Sequence, residues 1–268
     1  SPISKIKTEK QIALSDDATI EDIRVLFGLL FFGSRVLRIG LSAYFTPIKF
    51  LRRRMHELAK ETITERDHAK LWPCARDDLI RWIDEVIANE WVTPLRDDNG
   101  EIDCVLVTDA STTGWGAVLY DERNGSAYAA GGRWNKVQDS SNINALETQA
   151  ITLAATEFRD KLQPPGTKKI LLLTDNTATM HSVKKGVSRS FLLNDAVHKA
   201  LHALDSDLQV KVAYITTDEN KQFADPLSRG EHFDAELSST LGLVGRRLAR
   251  TALTVAVPRR GAYALSNP

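Results

Sequence analysis

Four acidic side chains, each inside a short motif of its own, are the residues best suited to chemistry. They are Asp109 in VLVTDAS, Glu147 in NINALET, Asp175 in ILLLTDN and Asp225 in FADPLSR. Carboxylate oxygens are hard ligands, and a set delivered by several rigid elements can chelate divalent cations. Two such ions roughly 3.5–4 Å apart orient an attacking water and stabilise the leaving oxygen of a phosphodiester. Each carboxylate also has a structural alternative. Asn144 to Glu147 is close to a capping box, with Glu147 reaching back to the cap amide. Asp225 before Pro226 reads as an N-cap followed by proline at the first helical position. Asp175 suits the cap of the helix after its strand, and Asp109 suits the turn into Ser111.

Their joint arrangement favours the ligand set. Asp109 and Asp175 both end apolar, strand-like runs, and open α/β sheets gather ligand sites at the carboxyl ends of strands. If those strands are neighbours, their charges sit close enough to repel unless a cation lies between them.

The elements that must position these groups fall into two styles. Residues 1–14 read as irregular or extended. From Thr19, the spacing of Ile20, Ile23, Leu26, Phe27 and Leu30 predicts a helix. A second helix runs from Pro47 to about Lys60, and a third from Arg76 to Ala88 carries Leu79, Ile80, Ile83 and Ile87 on one face. The polar stretch Arg96–Gly100 reads as a turn or linker, placing a boundary near residues 95–103. Beyond it, Cys104–Thr108, Trp115–Tyr120 and Ala127–Trp134 form a meander of strands joined by tight turns. A helix from Ala145 to about Leu162 stops before Pro164-Pro165-Gly166. Lys168–Thr174 is a continuous apolar strand of the kind buried on both faces. Helices over roughly 177–186 and 190–204, a fifth strand at Gln209–Thr216 and a short helix after Asp225 complete a mixed sheet with helices on its faces. From about 231 an amphipathic stretch ends near Arg250, and a poorly ordered terminus is expected after it.

Composition places the 268 residues, 43% hydrophobic and 26% charged, among ordinary soluble globular chains. The longest apolar run, Val25–Gly33, is too short to cross a bilayer, so no membrane partner is expected. Cys74 and Cys104 are far apart and lack ligand spacing, which fits a reducing intracellular compartment, cytoplasm or nucleus. The zero net charge hides an excess at the start, where residues 1–72 carry 13 basic and 9 acidic side chains. Arg52, Arg53 and Arg54, with Arg35, Arg38 and Lys49, form either a basic face for a polyanion or a solvated helix face. A chain that starts at Ser1 without methionine reads as a piece of a longer polypeptide.

The succession TDAS-TTGWGAVL, GGRW, INALE, LLLTDNT and ADPLSR resembles the ribonuclease H domain of retroelement reverse transcriptases, most of all the DIRS-like branch. The resemblance covers about 104–229; the helices upstream resemble, more weakly, a thumb or connection region. It implies an α/β fold, a ribonuclease H-like five-stranded mixed sheet flanked by helices and preceded by a mainly helical region. The organisation is then 1–100 helical, 101–230 nuclease-like and 231–268 a helical extension. It implies that Asp109, Glu147, Asp175 and Asp225 bind two Mg2+ ions, with Mn2+ able to substitute. The RNA strand of an RNA–DNA hybrid would be hydrolysed, leaving a 3′-hydroxyl and a 5′-phosphate. Ser111, Asn144, Asn176, Ser188, Arg189 and Ser190 are candidates for nucleic-acid contact, with Arg52, Arg53 and Arg54 in the helical region. Trp115 and Trp134 read as core. The loop Thr216–Lys221 lacks the histidine that cellular members place there; Asp218 and Glu219 stand in it as substitutes or as surface charge.

No tyrosine-x-aspartate-aspartate motif occurs, so the polymerase part would be a partner chain or a missing stretch of the same polypeptide. The leading alternative is a catalytically inactive or domesticated scaffold that keeps the fold and cuts nothing. A strand-transferring relative is disfavoured by the ADPLSR ending.

Overall fold

The computed structural model describes residues 2–88, 101–134, 142–162, 169–204 and 207–258. They group into two compact units, 2–88 and 101–258. The expected turn at Arg96–Gly100 and the Pro164–Gly166 break lie outside the described residues.

The first unit is helical: α1 Pro2–Ala13, α2 Ile20–Leu37, α3 Phe45–Ala59 and α4 Pro73–Ala88. Thr19 starts α2 with a capping box, accepting from the Asp22 amide while Asp22 bonds back to Thr19. The predicted apolar face, Ile20, Ile23, Leu26, Phe27 and Leu30, is buried. Trp82 of α4 anchors it. Its ring stacks on Tyr44 at 5.1 Å, meets Phe27 edge-on at 5.6 Å, and its indole N–H bonds Ser34 at 2.7 Å. Residues 2–13 are helical rather than extended. Ile6 and Ala13 bury on α2 and α4, and Lys10 pairs with Asp84 at 2.7 Å, so tertiary packing supplies what local pattern lacks.

The second unit is a mixed α/β layer structure. Its elements run β1 Cys104–Ala110, β2 Gly114–Asp121, β3 Ser126–Arg133, α5 Ile143–Glu157, α6 Arg159–Leu162, β4 Lys169–Thr174, α7 Thr177–Lys185 and α8 Phe191–Ala203. Then follow β5 Gln209–Tyr214, α9 Thr217–Asn220, α10 Ala224–Ser228, α11 Ser238–Ala249 and β6 Leu253–Val255. The sheet order is β3-β2-β1-β4-β5-β6, with β1, β4 and β5 parallel and the other pairings antiparallel. One face packs Leu106, Ile170, Leu172, Val210 and Val212 against α5 and α8. The other packs Val105, Val107, Leu171 and Leu173 against Phe223, Ala224 and Leu241.

The sheet has six strands, not five. The first part of the end expected to be poorly ordered instead returns as β6, where Val255 pairs with Val210 and buries completely with Val257 beside it, while residues 259–268 lie outside the described residues. Close approach by α11 depends on Gly245, where an added Cβ would stand 2.4 Å from Val105 Cγ2. No helix among the described residues is long and apolar enough to cross a membrane.

Candidate metal centre

Strand register builds the centre. Val107 of β1 pairs with Leu173 of β4 in parallel, so two residues further along each chain stand Asp109, in β1, and Asp175, just past the end of β4. Helix α5 crosses β1 and brings Glu147 to the same end. One oxygen from each of Asp109, Glu147 and Asp175 lies within 4.8 Å of the others. Asp109 and Glu147 are buried at 4% and 5% exposure, while Asp175 is partly open to solvent.

Burial and crowding raise the proton affinity of this set. Burial chiefly, then the charges of Asp175 and Asp225, push Asp109 up to about 6; a hydrogen bond from Ser228 opposes this. Burial, then the charges of Asp109 and Asp175, push Glu147 up to about 9. Glu147 Oε2 is buried without a hydrogen-bond partner. Three converging carboxylates with an orphaned oxygen fit a hard divalent cation, which would neutralise the charge and take up that lone pair.

The alternative roles in capping fall away for three of the four acids. Asn142, not Asn144, caps α5 through the Ala145 amide at 3.2 Å, and Glu147 takes no part in the cap. Asn176, not Asp175, caps α7 through the Thr179 amide at 2.9 Å. Asp225 does not cap α10, which begins one residue earlier at Ala224.

Asp225 is not in the three-oxygen group. Both of its oxygens are held by Arg229, whose Nε lies 3.0 and 3.1 Å away and whose terminal nitrogen lies 2.7 Å from Oδ1. Its charge nevertheless reaches the centre, contributing to the raised affinity of Asp109 and Glu147.

The other candidates have definite places. Ser111 is buried and organises the β1–β2 turn, accepting from the Thr113 and Gly114 amides and donating to the Ser228 carbonyl at 2.7 Å. Asn144 and Asn176 join beside the centre, the Asn176 amide donating to Asn144 Oδ1 at 2.8 Å. Ser188 is buried, while Arg189 and Ser190 are exposed. In the helical unit, Arg53 and Arg54 share Glu57 at 3.1 and 2.9 Å, and Arg53 lies over the Trp72 ring. Arg52 stands on the same helix α3, half-buried. Trp134 bonds the Ser111 carbonyl at 2.8 Å, and both Trp115 and Trp134 pack on Leu146 and Ala150 as core. Glu219 caps α9 with Thr216 and pairs with Arg247, and Asp218 pairs with Lys221.

Sequence reasoning passed over Asn220, Ser228 and Arg229 as functional residues. Asn220 is fully buried and donates its amide to Asp109 at 3.0 Å. Arg229, the C-cap of α10, follows Asp225 by four residues, a spacing that signals an ion pair.

A search of curated proteins finds no match. Among solved structures, RNase H1 from the halophilic archaeon Halobacterium salinarum is 17% identical, covering 51% of this chain and 97% of its own, with a TM-score of 0.38. LC11-RNase H1, solved with an RNA/DNA hybrid, is 17% identical over 48% of this chain and 95% of its own, at 0.37. The foamy viral protease-reverse transcriptase, also solved with a hybrid, is 12% identical over 80% of this chain but only 27% of its own, at 0.31. Residues 100–194, which hold Asp109, Glu147 and Asp175, match the family model of the RNase H-like domain found in reverse transcriptase.

Proposed function

We propose that this chain is a cation-dependent endonuclease that hydrolyses the RNA strand of RNA–DNA hybrids as part of a retroelement reverse transcriptase. The observation that carries this reading is the convergence of Asp109, Glu147 and Asp175 at one rim, with Glu147 Oε2 buried and unpartnered. The motif wording, from TDAS through INALE and LLLTDN to ADPLSR, supports the DIRS-like assignment.

Asp109, Glu147 and Asp175 would hold the first divalent ion, with Mg2+ the expected metal and Mn2+ a substitute. A pair of such ions, with Asp225 completing the second site, supplies orientation of the attacking water and stabilisation of the leaving 3′-oxygen. Asn220 fixes one oxygen of Asp109, and Ser228 ties α10 to the β1–β2 turn beside it. The joined amides of Asn144 and Asn176 lie at the helix starts that flank the centre, placed for the minor groove, whose 2′-hydroxyls distinguish RNA from DNA. Arg189 and Ser190, exposed between α7 and α8, suit backbone phosphates. In the helical unit, α3 with Arg52, Arg53 and Arg54 supplies a second, sequence-independent grip.

The test is cleavage of an end-labelled hybrid in Mg2+ or Mn2+ by the wild type, Asp109→Asn and Asp175→Asn. Cutting of the RNA strand by the wild type alone supports the reading. An inert wild type that still binds hybrid supports the scaffold alternative.

A further inference from the structure

Resting on that reading of the centre, we propose that Arg229 is an exchangeable lock on Asp225: it withholds the fourth carboxylate until a nucleic-acid phosphate draws the guanidinium away. In this state the fork from Arg229 occupies both Asp225 oxygens at 2.7 to 3.1 Å. Oδ1 accepts two of these bonds and Oδ2 one, so lone pairs remain, but the guanidinium charge at this range opposes a hard cation on the same carboxylate. Asp225 stands outside the three oxygens that lie within 4.8 Å of one another.

Side-chain exchange is the available movement, because the helix itself is pinned. Ser111 donates to the Ser228 carbonyl at 2.7 Å. At Gly116 an added Cβ would lie 2.3 Å from the Ala224 carbonyl, so β2 and α10 are already in contact. Arg229, by contrast, is 58% exposed in its side chain, so its guanidinium can swing to a new partner through solvent without moving the backbone.

The competitor is identified by what surrounds the guanidinium. Arg229 lines a groove of about 1030 Å³ together with Thr112, Thr113, Arg133, Trp134 and His232. Hydroxyls and two arginines suit a phosphodiester backbone, and an arginine fork binds phosphate as well as it binds carboxylate. Arg229 is thus a positioning residue that couples substrate arrival to completion of the second ion site.

Calorimetric titration of Mn2+ into the free protein tests this. The wild type binds one ion, and Arg229→Gln binds two, the second at least about tenfold tighter than any second event in the wild type. Adding a hybrid whose RNA strand is 2′-O-methylated, and so uncleavable, brings the wild type to two ions. Asp225→Asn in the Arg229→Gln background returns the count to one. Arg229→Lys, which keeps the charge but loses the fork, gives an intermediate second affinity and guards against a folding defect in the glutamine variant. Two ions in the free wild type, or one ion in both arginine variants, overturns the lock while leaving the nuclease reading intact. No ion in any protein overturns both.

Discussion

The side-chain amide of Asn220 donates to Asp109 Oδ1 at 3.0 Å, joining the start of α10's approach loop to the central strand across 111 residues of sequence. Asn220 is fully buried, and its own Oδ1 has no hydrogen-bond partner. Asn220→Ala strips a donor from a buried carboxylate and should cost about 1–3 kcal/mol in urea unfolding. Asn220→Asp adds a further negative charge; its loss should be larger in EDTA and partly recovered in Mn2+. Equal stability of all three proteins would show that the bond orients nothing.

Protonation of Glu147 sets a second expectation. Its folded affinity is raised to about 9 from an ordinary 4.5, so the folded state holds a proton that the unfolded chain releases. That contribution is complete below about 4.5 and declines as pH rises toward about 9. The cation-free protein should therefore melt at lower temperature at pH 8.5 than at pH 6, and Glu147→Gln should remove most of the difference. Mn2+ should raise the melting temperature more at pH 8.5, where fewer protons have to be displaced from the ligands than at pH 6.

A pair of imidazoles acts in the opposite direction. His198 and His202 of α8 lie 4.2 Å apart, and burial, then the neighbouring ring, lowers His198 to about 4. Burial lowers His202 as well. A base kept neutral by folding stabilises the protein above the unfolded value near 6.5 and loses that contribution as pH falls toward 4. Because Glu147 and Asp109 both oppose this below 6.5, the effect is best read in the Asp109→Asn, Glu147→Gln protein. Its stability should drop by roughly 1–3 kcal/mol from pH 7 to pH 4.5, and His198→Gln should flatten the slope. An unchanged slope would remove the histidines from the account.

Two glycines should respond with opposite sign. Gly28 lies in α2 with nothing within 4 Å of an added Cβ, so Gly28→Ala should stabilise by about 0.5–1 kcal/mol. Gly116→Ala would press into the Ala224 carbonyl and Leu227 and should destabilise by about 1–3 kcal/mol, displacing α10 and Asp225 with it. Thermal melts compare the pair directly.

Much of this arrangement was legible along the chain, for identifiable reasons. The unbroken apolar run Ile170–Leu173 signals a strand buried on both faces, and the period of Ile20, Ile23 and Phe27 signals the buried side of α2. Asp109 and Asp175 were readable as strand-end acids because each closes such a run. Helix α1 was not readable, since its buried contacts are few and its apolar side becomes distinct only against α2 and α4. Nor was β6, three residues long, whose partner Val210 lies more than forty positions earlier. The caps were misplaced because Asn142 and Asn144 both precede Glu147, and spacing alone does not decide between them. Asn220 was beyond reach, because its partner is fixed only by the folded topology.

The central claim is that Asp109, Glu147 and Asp175 jointly chelate a divalent cation. Anomalous diffraction from crystals of the protein soaked in Mn2+ tests this most directly. The account predicts a manganese peak in contact with oxygens of all three carboxylates, absent from Asp109→Asn crystals treated alike. A density map with that rim free of manganese, at a concentration that supports catalysis in other two-metal nucleases, would contradict it.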